Sequence, residues 1–164
     1  MSEYIHTELR SVESHNVSLL LHHNVCSAKY RKVVFDEEID KTLEETCKGI
    51  EKRYEITFIE IGTDGDHVHF LVQSVPTYSP TKIITTVKSI TAREIFAKHP
   101  EVKRQLWGGE FWGDGHYVSS TVGKHSNEEV IAAYVKGQGQ GREYKQVYRQ
   151  SLATHEQLSL FDQP

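Results

Sequence analysis

The stretch "YEITFIEIGTDGDHVHFLVQSV" (54–75) limits the fold more than any other part of the chain. Residues 54–62 alternate between apolar and polar with period two, as a half-buried strand does. Asp64-Gly65-Asp66 supplies the turn chemistry of a hairpin, and "HVHFLVQSV" is its second arm. Successive strand side chains point to opposite faces, so His67, His69, Leu71 and Gln73 share one face while Val68, Phe70 and Val72 share the other. The apolar face must be covered by another layer, which leaves the two imidazoles on the opposite face.

The rest of the chain supplies that layer. "VSLLLHHNVC" (17–26) reads as a first strand and is followed by the basic turn "SAKYRK". From Asp36 onward, Ile39, Leu43, Cys47 and Ile50 recur at the spacing of one helical face. After Pro76 and Pro80, Ile83, Val87, Ile90 and Ile95 form a second helical stripe that ends at Pro100. "EFWGDGHYVSSTVG" (110–123) predicts a last strand or a bent hairpin. Ser126 and Glu129 stand in capping-box spacing before a short helix of about 127–138, which dissolves into Gly137, Gly139 and Gly141. The remainder is polar apart from its last residues. The order strand, helix, strand, strand, helix, strand predicts an α+β, ferredoxin-like sandwich of the RRM-like kind, an antiparallel sheet with helices on one face.

With 164 residues, 37% of them hydrophobic, one domain over residues 1–150 with a flexible 151–164 tail is expected. No apolar run reaches the length of a membrane span and the N-terminus lacks a secretion signal's apolar centre, so a cytoplasmic location is expected. Cys26 and Cys47 lack metal-type spacing and read as reduced, structural thiols. The net charge of −4 hides an asymmetry. Residues 36–51 hold seven acids against Lys41 and Lys48, whereas 79–108 carry Lys82, Lys88, Arg93, Lys98, Lys103 and Arg104 against two glutamates. The second segment is either an ordinary solvated helix face or a place for a phosphate backbone.

A His-x-His on a strand is as compatible with an incidental pair as with half of a divalent-cation site, in which two neutral imidazoles act as ligands. On the last helix Tyr134 and Gln138 are four residues apart and lie on one helical face. The amide oxygen of Gln138 is a hard ligand for Mg²⁺ or Mn²⁺, and the phenol could reach a phosphate held by that ion. Tyr134 could equally be a core aromatic beside Val130, Ile131 and Val135.

"KYRKVVF", "DHVHFLVQSVP", "QLWGGEFWGDGHYVSSTVG" and "YVKGQ", in that order, resemble the small single-tyrosine HUH transposases, the TnpA proteins of insertion sequences that move as single-stranded DNA. The resemblance runs from about residue 15 to about residue 140. It implies His67 and His69 as metal ligands, Tyr134 as nucleophile and Gln138 as third ligand. It also implies strand cleavage and rejoining through a 5′-phosphotyrosine link, and an intertwined homodimer whose active sites each combine the histidines of one subunit with the mobile tyrosine helix of the other. Gly123, Gly137, Gly139 and Gly141 are the expected hinges of that helix.

The substrate expected from the resemblance is single-stranded DNA with hairpins near the element's ends. Lys29, Tyr30, Arg31, Lys32, Lys82, Lys88 and Arg93 are expected contacts to its phosphates. Trp107, with Phe111 and Trp112 as further candidates, is expected to stack on extruded bases, although Trp112 reads more readily as core. In the tail, Gln157, Leu158, Ser159, Leu160 and Phe161 resemble the pentapeptide that docks bacterial replication proteins on the sliding clamp. Two other functions fit parts of the sequence. One is a domesticated regulator that binds hairpins or repeats with little or no cleavage. The other is a small metal-dependent hydrolase built on the two histidines and Asp66, which leaves Tyr134 and Gln138 without a purpose.

Overall fold

The computed structural model describes residues 19–123 and 144–150. The expected tyrosine helix, with Tyr134 and Gln138, and the tail residues Gln157, Leu158, Leu160 and Phe161 lie outside them. In chain order the elements are β1 (Leu19–Ala28), a short turn Lys29–Arg31, α1 (Glu37–Arg53), β2 (Ile56–Asp64), β3 (His67–Ser74), α2 (Pro80–Lys98), α3 (Pro100–Gln105), β4 (Trp112–Gly123) and β5 (Tyr144–Arg149). The sheet order is β4-β1-β3-β2-β5, with every pairing antiparallel. Its first four strands have the ferredoxin-like arrangement expected from the sequence.

Local chemistry accounts for the boundaries. The carboxylate of Asp36 accepts from the Ile39 backbone N–H and caps α1, and Ser79 caps α2 through Lys82 N–H with Pro80 following. Pro100 does end α2, but the chain then forms the further turn and a half of α3, which buries Val102. Gly65, at φ 63°, makes the tight β2–β3 turn. Strand β1 continues two residues into the segment read as a turn, because Ala28 N–H is held by the Asp66 carbonyl at 2.8 Å.

Leu43, Cys47 and Ile50 of α1 and Ile83, Val87 and Ile95 of α2 pack with Cys26, Phe58, Ile61, Val68, Phe70 and Val72 of the sheet into one core. Phe111 and Trp112 belong to it too. Phe111 is 1% exposed, and the Trp112 indole N–H donates to Thr91 Oγ1 at 3.0 Å, so neither ring is available to stack on a base. The acidic helix α1 faces solvent as expected except at Asp40, which turns inward to accept from Thr63 and to pair with Lys145 at 2.9 Å, and at Glu51, which accepts from the Phe58 N–H at 2.8 Å. Two sequence readings need correction. Residues 144–149, read only as polar chain, form the fifth strand along β2. The alternation of β2 also breaks: its register against β3 shifts between Phe58 and Glu60, so Ile59 is an extra, bulged residue.

The bulge exchanges the two faces of β2 halfway along. Ile56 and Phe58 lie on the helix side, opposite Ser74 and Val72, but beyond Ile59 the helix side is taken by Ile61 and Thr63. Glu60, Gly62 and Asp64 therefore share the second face with His67 and His69. That face is not fully open: Leu21, Leu71 and Glu60 are buried there, Glu60 completely. The Glu60 carboxylate accepts from Arg149 of β5 at 2.6 and 3.0 Å. Removing Arg149 strands a buried charge, a loss of roughly 3 kcal/mol. Urea unfolding of Arg149→Met is expected to show that loss, and the double variant Glu60→Gln with Arg149→Met to recover part of it.

Candidate metal and active site

On the second face, at the β2–β3 turn, Asp64, His67 and His69 each offer one ligand atom, and these atoms lie within 4.8 Å of one another. One carboxylate oxygen and two imidazole nitrogens suit a small divalent cation, so the residues present fit the ion that the sequence implied. His67 and His69 stand where alternation placed them. Asp64 was read only as part of the hairpin turn, and unbroken alternation of β2 would have turned it toward the helices. The signal was present in the adjacent apolar pair Phe58-Ile59, which interrupts the period of two.

Nδ1 of each histidine is engaged. His67 Nδ1 lies 2.8 Å from Asp66 Oδ1, and Asp66 Oδ2 accepts from Arg31 Nε at 2.8 Å. His69 Nδ1 lies 3.1 Å from His23 Nε2 across the β1–β3 ladder, with the two rings stacked. Tyr144, the first residue of β5, sets its ring edge against His69 and over Gly62, where an added Cβ would collide with it. Gly62 is required by that close approach. Neither His23 nor Tyr144 was singled out in the sequence. Their proximity depends on strand register, which local sequence does not carry.

The electrostatics favour a neutral His69. Burial, then the neighbouring His23 and His67, push His69 down to about 4. Burial also lowers His22 and His23 and, with Glu60, raises the Tyr144 phenol. Burial pushes Asp66 up, but its hydrogen bonds from His67 and Arg31 outweigh that and hold its carboxyl below the usual range.

The residues expected on DNA behave differently from one another. Lys29 is spent on Glu110 at 2.7 Å and Asp114 at 3.3 Å, Arg31 on Asp66, and Lys88 on the Gly113 carbonyl at 2.9 Å. Lys32 and Arg93 are exposed, and Lys82 lies over the Tyr78 ring, its ammonium 4.3 Å from the centroid. Trp107 is 71% exposed and stacks on Tyr30 with centroids 5.0 Å apart, forming an aromatic platform on the surface.

Unfolded imidazole titrates near 6.5 and folded His69 near 4, so between these values the unfolded chain binds more protons. The stability linked to His69 is therefore complete above about pH 6.5 and is lost as the pH falls toward 4. Denaturation midpoints of metal-free protein at pH 7 and pH 5 are expected to differ, and His69→Leu to narrow the difference.

The family described as "Transposase IS200 like" matches residues 16–138. The chain is 28% identical over 119 residues to the ISDra2 transposase TnpA of Deinococcus radiodurans, covering 73% of this chain and 84% of that one. It is 26% identical over 117 residues to the transposase of insertion sequence IS200 from Salmonella typhimurium, covering 71% and 75%. A transposase crystal structure from Deinococcus radiodurans superposes with a TM-score of 0.58 at 26% identity, over 73% of this chain and 91% of that one. A match over most of the chain, on an antiparallel sheet that presents His67 and His69 together, places this protein in the IS200-like transposase family.

Proposed function

We propose that this transposase cleaves and rejoins single-stranded DNA at the hairpin-bearing ends of its mobile element, through a covalent 5′-phosphotyrosine intermediate. The observation that supports this most is the donor set of Asp64, His67 and His69, half-buried on the second sheet face of a chain from this family. Asp64, His67 and His69, joined by Gln138, would hold Mg²⁺ or Mn²⁺, which offsets negative charge at the scissile phosphate. Tyr134 attacks the phosphorus: its Oη–P bond forms as the bond to the 3′ oxygen breaks. The phenol loses its proton and the departing oxygen gains one. The link retains the energy of the broken phosphodiester, so another strand's 3′-hydroxyl can reverse the step without water or ATP. A phenol, with a reference pKa of about 10, leaves more readily than a serine alkoxide would.

The Trp107–Tyr30 platform, with Lys32, Lys82 and Arg93, is the surface proposed for DNA. Stacking of one base on an aromatic ring is worth about 1–3 kcal/mol. Trp107→Ala is expected to weaken hairpin binding about tenfold or more in a filter-binding titration. The tail segment Gln157, Leu158, Ser159, Leu160 and Phe161 is proposed to tether the protein to the replication clamp, and deletion of 157–161 is expected to abolish clamp retention in a pull-down.

The decisive experiment incubates labelled single strands from both flanks of the encoding gene with protein and Mg²⁺, then separates the products on a denaturing gel. A protein-linked band is expected with wild type, and none with Tyr134→Phe or chelator. Tight DNA binding without any adduct would instead favour the hairpin-binding regulator. The proposed dimer, with each site shared between subunits, makes a further prediction. Tyr134→Phe and His67→Ala proteins, each inactive alone, regain adduct formation when co-refolded, because one hybrid site is intact.

A further inference from the structure

Two successive residues in the turn after β1, Tyr30 at φ 60° and Arg31 at φ 54°, occupy the left-handed region although neither is glycine. Each such residue costs about 1 kcal/mol and persists only where its surroundings over-determine it. The surroundings here are specific. The Ala28 and Lys29 N–H groups bond to the Asp66 and Phe111 carbonyls, both at 2.8 Å, and fix the start of the turn. The turn then folds the Arg31 guanidinium back so that Nε donates to Asp66 Oδ2 at 2.8 Å and Nη1 to Ser27 Oγ at 3.3 Å. The other Asp66 oxygen is 2.8 Å from His67 Nδ1. Arg31 is thus the outermost member of a chain that runs guanidinium, carboxylate, imidazole, donor cluster.

A carboxylate beside Nδ1 requires a proton on that nitrogen, which leaves Nε2 with its lone pair directed elsewhere. His67 Nε2 is the nitrogen on the Asp64 side, 3.7 Å from Asp64 Oδ2. At His69 the same nitrogen, Nδ1, is occupied by His23. Both imidazoles thus have a partner at Nδ1, a carboxylate at His67 and, at His69, another imidazole, in which pair one nitrogen donates and the other accepts.

We propose that Arg31 and Asp66, together with His23 accepting at its Nε2, are positioning residues that hold His67 and His69 as Nδ1–H tautomers with Nε2 bare, so that the left-handed turn at Tyr30-Arg31 serves the cation site rather than a DNA phosphate. This rests on the reading that Asp64, His67 and His69 bind a divalent cation. Outer partners of metal-bound histidines typically change metal affinity by about 10- to 100-fold.

The test uses the full chain without DNA at pH 8. Long-range ¹H–¹⁵N spectra of metal-free protein are expected to show Nδ1–H at both His67 and His69, and Mn²⁺ titration gives the affinity. Arg31→Gly is the informative variant, because glycine accepts the left-handed backbone and removes only the clamp. It is expected to keep or raise the wild-type melting temperature while His67 becomes a tautomer mixture and Mn²⁺ affinity falls about tenfold. His23→Phe, which keeps the ring stack, is expected to release His69 alone. An Nε2–H tautomer at either ring in wild type overturns the proposal, as does unchanged Mn²⁺ affinity in Arg31→Gly accompanied by weaker hairpin binding in chelator. If wild type binds no Mn²⁺ but the tautomers respond as expected, the clamp stands and the cation reading fails.

Discussion

One extra residue in β2 decides what the second face of this sheet can do. Strand side chains alternate strictly, so Ile56, Phe58, Glu60, Gly62 and Asp64 would share a face in an unbroken strand. The bulge at Ile59 cuts that set in two. Ile56 and Phe58 stay in the helix-side core, while Glu60, Gly62 and Asp64 cross to the side of His67 and His69. Ile61 and Thr63 take their places against the helices. Without the shift a carboxylate would be driven into the apolar core, a strongly unfavourable outcome, and the histidines would lose their acidic neighbour. Core packing and site assembly thus impose the same register.

The consequences spread outward from that register. Glu60, moved to the second face and fully buried, needs a cation, and Arg149 of β5 provides it. Gly62 leaves room for the Tyr144 ring, which closes against His69. The fifth strand is therefore more than an edge cover; it neutralises one member of the face and walls in another. On the opposite side of β3, strand β1 and its left-handed turn supply His23 and Arg31. The donor cluster sits between two strands that are far apart in sequence, and there burial and then the neighbouring His23 and His67 act against protonation of His69.

Much of this was legible beforehand, for identifiable reasons. The hairpin at Asp64-Gly65-Asp66 and the helical stripes of α1 and α2 are short-range patterns, and periodicity reads them directly. His67 and His69 belong to such a pattern, so their shared face followed from spacing alone. Asp64, His23 and Tyr144 did not, since each joins the site through register or through a strand paired at long range. The basic residues were the least legible. Lys29, Arg31 and Lys88 look free in the sequence, yet each is engaged by a group 25 to 85 positions away.

The sequence by itself determined the order of the first four strands and the two long helices, the apolar core and the placement of two imidazoles on one face. It also carried the motifs of the transposase family. Those properties depend on residues within a few positions of one another or on ordered motifs. Only the tertiary structure decided which carboxylate stands beside the histidines, which groups hold their outer nitrogens and which cations remain available at the surface. These outcomes turn on a one-residue bulge and on cross-strand partners. A shift of a single position reverses every side chain's face while leaving the composition unchanged.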